Sequence, residues 1–188
     1  TINDLSIEVT PKAVTVKAND ASKMYGQSDP EFTATVTGTL NEDPIEYTVT
    51  RPGAGTDEAV KTYEDAIIAA GDKEPGDFTI KAQSIDPSDP SYLNVKVNKP
   101  ENKVYDGKDH KWIPEVTLED GTPLVEGTDY TVTYSTENFK GVQKIKVTIE
   151  GTGNYSGTVT RKYRITRKPI TITSDSAIKV YDGNALTA

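Results

Sequence analysis

Apolar and polar side chains alternate one for one through a series of short runs in this 188-residue chain. In "FTATVTG" at 32–38, Phe32, Ala34 and Val36 alternate with threonines, and "IEYTVT" at 45–50 repeats the scheme. "VTVKA" at 14–18, "DFTIKAQ" at 77–83 and "YLNVKVN" at 92–98 complete the first half. The second half offers "WIPEVTL" at 112–118, "DYTVTYS" at 129–135, "VQKIKVTIE" at 142–150 and "VTRKYRIT" at 159–166. A period of two predicts strands with one buried face. Threonine fills many of the opposite positions, where a β-branched polar residue suits a half-buried surface. Turns are spelled between the runs by "EDGTPL" at 119–124, "NFKG" at 138–141 and "GTGNYSG" at 151–157.

One segment breaks the alternation. In "TDEAVKTYEDAIIAAGD" at 56–72 the apolar residues are Ala59, Val60, Tyr63, Ala66, Ile67 and Ala70. That spacing predicts a helix near 57–70, with Asp57 as its cap, Gly71 as its stop, and Val60, Tyr63 and Ile67 packed on a sheet. The fold class expected is mainly β, in tandem small modules. The first is α+β and grasp-like, with one helix; the second is all-β.

The tandem reading rests on a repeat. "VYDG" occurs at 104–107 and 180–183, and a relative, "SKMYGQSDP", begins at Ser22. Each copy follows a short alternating run, at 14–18, 94–98 and 170–174, and "EVTPKAVTV" at 8–16 resembles "RITRKPITI" at 164–172. Internal similarity at a period near 80 residues predicts modules that each hold a small core. The expected division is a lead-in strand or the end of a preceding module at 1–10, a module at 11–99, a second at 100–168, and the start of a third at 169–188. Prolines mark the expected hinges at Thr10–Pro11 and Lys168–Pro169, with the internal junction at 97–102. A chain that starts at Thr1 and stops inside a repeated unit is expected to be a piece of a longer protein.

"NDASKMYGQSDPEFTATVTGTL" at 19–40, with Tyr25, Gly26, Pro30 and the Val36–Gly38 turn, resembles the bacterial surface module called MBG, YGX type. "GDFTI" at 76–80 resembles the later glycine–aromatic strand of that family. The second half, through "VYDGKDHKWIPEVT", "LVEGTDYTVTYS" and "GTGNYSGTVTRKYRIT", is similar to a related repeat of large cell-wall proteins of Gram-positive and gut anaerobic bacteria. The resemblance implies a stalk or adhesin exported to the cell surface, and no catalytic residue.

Charge and composition narrow the chemistry. Residues 1–99 hold 9 Lys and Arg against 17 Asp and Glu, whereas residues 100–168 hold 11 against 10. No basic stripe or basic–aromatic interleaving stands out, so nucleic acid is not an expected partner. No apolar run is long enough to span a bilayer, and no membrane contact by this chain is expected. There is no cysteine and a single histidine, His110, which removes thiolate and multi-histidine metal sites. No cofactor is expected.

The corner residues Tyr25, Gly26, Tyr105, Asp106, Gly107, Tyr181, Asp182 and Gly183 form the structural repeat motif. Tyrosine anchors a strand start, glycine relieves the turn, and aspartate bonds its own backbone. A sugar platform at the tyrosines, and weak calcium sites at Asp106, Asp109 and Asp182 or in "DPSDPSY" at 86–92, are the competing readings. Trp112 and Tyr155 are the ligand candidates, although Trp112 equally suits the second core. "GTGNYSG" lacks the ending and the helix of a phosphate loop and suits a hairpin. A lysine–asparagine cross-link would draw on Lys144 or Lys146 with Asn154 or Asn138, near Glu150. No paired carboxylates or nucleophile–base set is legible, so an enzyme is not expected. The function expected is a structural stalk or spacer of a cell-surface adhesin-like protein that presents a distal binding region. The alternative is direct binding of host glycan, mucin or extracellular protein. Neighbouring modules of the same chain are the other expected partners.

Overall fold

The computed structural model describes residues 8–41, 43–55, 58–70, 74–173 and 178–184. Among them the backbone forms strands and turns with no helix. The first strands are β1 (Thr15–Ala18), β2 (Ala21–Met24), β3 (Ala34–Thr37), β4 (Val49–Thr50), β5 (Thr62–Ala69), β6 (Gly76–Lys81) and β7 (Gln83–Ser84). They are followed by β8 (Lys96–Val97), β9 (Lys103–Val104), β10 (Val116–Thr117), β11 (Tyr130–Tyr134), β12 (Gln143–Gly151), β13 (Tyr155–Ser156) and β14 (Thr158–Thr166).

One plan is drawn twice. The first sheet runs β2-β6-β5-β4, beside an antiparallel pair of β1 and β3. The second runs β9-β14-β12-β11, beside an antiparallel pair of β8 and β10. In each sheet the strand that leads into the tyrosine corner lies parallel to the last long strand, and the remaining neighbours are antiparallel. The corner closes in the same way both times. Tyr25 N–H donates to Lys81 O at 2.9 Å, and Tyr105 N–H donates to Thr166 O at 2.8 Å. Alternation aims Ile145, Val147 and Ile149 of β12 and Val159, Tyr163 and Ile165 of β14 into the second core. Phe78 and Ile80 of β6 join Ala18, Ile67 and Ala69 in the smaller first core.

The helix expected at 57–70 is corrected by β5. Tyr63 pairs with Phe78 and Ile67 with Gly76, so β5 carries extra residues between them. Asp65 takes a φ of 52° there, and its N–H donates to Asp77 Oδ1 at 3.0 Å. Such a bulge bends the strand and breaks its period of two. It leaves Tyr63 and Ile67, four residues apart, on the core side, where Val60 ahead of the strand also packs, so the three show the intervals of a helix face. Asp57 and Gly71, the expected caps, lie outside the described residues.

The cores divide earlier than the repeat spelling does. Ile85 and Val95 are buried in the second core, and β8 pairs with β10. Residues 97–102, expected as the internal junction, also bond to the second core: Asn98 N–H donates to Glu115 O and Arg164 N–H donates to Asn102 Oδ1. The passage from one core to the next is β7, directly after β6.

Candidate functional site

The two cores meet along β7, and the contact is built from backbone. β13, in the "GTGNYSG" loop, pairs parallel with β7. Gln83 N–H donates to Asn154 O at 3.1 Å, and Ile85 N–H donates to Ser156 O at 2.8 Å. Asn154 reaches further: its Oδ1 accepts Val60 N–H of the first unit at 3.1 Å. Gly157 makes this approach feasible. A Cβ there would collide with Ser84 Oγ, and its φ of 80° is one that side chains resist.

Tyr25 and Tyr155 complete the seam with an edge-to-face contact of 5.7 Å between ring centres. Tyr25 packs against both cores, so the repeated corner of the first unit is also its bond to the second. Burial pushes the Tyr155 hydroxyl up to about 12. Tyr155, expected as a ligand contact, is thus enclosed in the seam. The equivalent corners differ in exposure: Tyr105 is 43% exposed and Tyr181 is 92% exposed.

The aspartates of the corners serve their own turns. Asp106 Oδ1 accepts Lys108 N–H at 2.9 Å and meets His110 Nε2 at 2.8 Å; the first of these bonds leads in holding its carboxyl below the usual range. Asp182 is lowered first by Lys179 Nζ and then by Asn184 N–H. Gly26, Gly107 and Gly183 share a φ near 80°. Asp86 and Asp89 bond Ser88 and Ser91, and Asp109 bonds Lys111 N–H. Among the described residues, no group of three or more His, Asp or Glu converges to hold a metal ion.

Trp112 is half-buried against the second core, its N–H donating to Tyr163 Oη and its carbonyl accepting from Tyr134 Oη. Its ring borders a shallow groove of about 530 Å³ with His110, Ile113, Lys99 and Lys103. The cross-link residues are not brought together. Lys144 and Lys146 stand exposed on β12, Asn154 is engaged at the seam, and Asn138 Oδ1 accepts Lys140 N–H.

A second constellation was not legible in the sequence. Arg51, which follows β4, is 2% exposed at its side chain, and Lys23 of β2 is 3% exposed. Arg51 bonds both carboxylates: Nε and NH2 to Asp29 at 2.8 and 2.9 Å, and NH1 and NH2 to Glu58 at 2.6 Å each. Lys23 Nζ donates to Asp29 Oδ1 at 2.8 Å and to Gly55 O at 2.9 Å. The Arg51 guanidinium lies 4.0 Å from the Phe78 ring centre, over the first core. The Arg51 hydrogen bonds drive the Glu58 carboxyl down to about 2 and lower Asp29 as well. With every charge matched, the cluster ties β2, the turn at Asp29 and the loop after β4 over the core. Its one sequence signal was an isolated arginine closing the alternating run "IEYTVTR".

Known proteins add one finding. A family model, the MBG domain of YGX type, matches residues 14–98, from the start of the first unit through β8. No curated protein matches the chain. Residues 14–98, with the Tyr25–Gly26 corner, the ion-paired cluster and the first core, are therefore similar to the MBG domain of YGX type.

Proposed function

We propose that this chain is a stiff, non-catalytic spacer of a bacterial cell-surface protein, built to hold successive units at a set angle and present a binding region beyond them. MBG domains are found in surface and repeat proteins, which fits a structural or adhesin-like role at an extracellular surface. The observation that carries the reading is the seam. Backbone pairing of β7 with β13 and the Tyr25–Tyr155 contact couple the two cores directly, with no free linker between them. Loosely tethered domains would instead meet through a flexible, poorly bonded segment. The second unit repeats the corner, and Tyr105 offers outward what Tyr25 offers to the seam.

Solution scattering tests this. The intact chain is expected to scatter as one elongated rigid body, and Gly157→Val to scatter as two independently moving bodies with both cores still folded. Identical, flexible profiles for the two would remove the spacer reading.

A further inference from the structure

The outer face of the second sheet carries a charge arrangement that the fold does not require. β12 and β14 place Lys144 directly opposite Arg164, and Lys146 directly opposite Lys162. All four side chains are exposed, and none forms an ion pair among the described residues. Adjacent strands lie about 4.8 Å apart, and like charges facing one another at that spacing destabilise a sheet. The first sheet shows the alternative. Aligning Lys81 with Thr166 through the two tyrosine corners makes Thr79 and Asp77 the counterparts of Arg164 and Lys162. Thr62, opposite Thr79, then takes the place of Lys144. The same plan is thus built in this chain with neutral and acidic residues at corresponding positions.

The four cations line one shallow groove of about 670 Å³ with Asn102 and Ser135. Beyond it the cross-strand row Thr133, Thr148 and Thr160 continues the face with hydroxyls. We infer that this groove is a binding site for an acidic polysaccharide, one whose sugars carry carboxylate or sulfate groups. The cations meet the acid groups, and Ser135, Asn102 and the threonine row supply hydrogen bonds to sugar hydroxyls. Among the described residues lining the groove the one aromatic, Tyr163, is buried and offers no face for base stacking, which favours a sugar polymer over a nucleic acid. This goes beyond the spacer role, because it gives the second unit a ligand of its own.

The test is titration calorimetry of the intact chain with heparin, polygalacturonate, neutral dextran and single-stranded DNA of matched charge, for wild type, K146E/K162E and a control, K108E/K140E. The expected result is saturable binding of an acidic glycan, absent with dextran, weaker with DNA, and reduced roughly tenfold or more in K146E/K162E. The control is expected to bind as wild type does, and melting curves confirm that both variants fold. Absence of glycan binding, equal loss in both variants, or DNA binding as tight as glycan binding would overturn the proposal. Self-association of the wild type that K146E/K162E abolishes would assign the groove to a second copy of the chain and overturn it too.

Discussion

Arg51 is a buried cation that donates four hydrogen bonds to two carboxylates, and its removal leaves Asp29, Glu58 and Lys23 unbalanced over the first core. Breaking a buried ion cluster by deleting one member costs about 3–5 kcal/mol. Arg51→Met is therefore expected to lower the urea midpoint of the first core strongly, with little change in the second; equal loss in both would contradict local action. The cluster also sets a pH dependence. Glu58 titrates at about 2 in the fold against 4.5 for a free carboxyl, and Asp29 is lowered in the same direction. A lowered folded value means the stabilisation is whole above pH 4.5 and is lost as pH falls through 2. Melts followed by circular dichroism from pH 7 down to 2 are expected to show a steepening drop below pH 4.5, flattened in Glu58→Gln.

Among the elements, β13 and β7 are two-residue strands that pair with each other. Gly157→Val sets a side chain against Ser84 and forces the φ of 80°, so the pair is expected to separate. Amide exchange at Gln83, Ile85 and Val60 would then quicken while β12 and β14 stay protected; unchanged exchange would show that the glycine is not needed for the approach. On the far sheet face, Lys146→Thr removes one like-charge pair, with an expected gain of about 0.2–1 kcal/mol that shrinks as salt is added. A loss of stability, or a gain indifferent to salt, would show that the pair carries no repulsion.

The longer strands were legible because each half-buried run repeats its face every second residue; the expected strands at 142–150 and 159–166 overlie β12 and β14 closely. β2, β7, β9 and β13 were not, because no alternating apolar run is centred on them and their partners lie far away in the chain. β5 was misread because its bulge gives a strand the spacing of a helix. Of the site, the tyrosine corner was visible as a repeat, but its bond to Tyr155 was not, since nothing local in "GTGNYSG" names the unit it touches. The basic groove escaped for the same reason: "KIK" and "RKYR" each look like ordinary solvated faces until pairing sets them opposite one another.

For the whole molecule, two small cores in one chain would ordinarily move against each other unless their contact is large or well bonded. Here the passage between them is itself a paired strand, and the corner of one unit packs on the loop of the next. Stiffness then comes from the seam rather than from the size of either core. Because the chain has no cysteine, Thr37→Cys in β3 and Thr131→Cys in β11 accept a spin label each without competition. The distance distribution between these labels, measured by pulsed electron resonance, is expected to be a single narrow peak that broadens when Gly157→Val is added. A broad distribution in the parent, unaltered by Gly157→Val, would mean that the cores tumble independently and that the seam does not lock them.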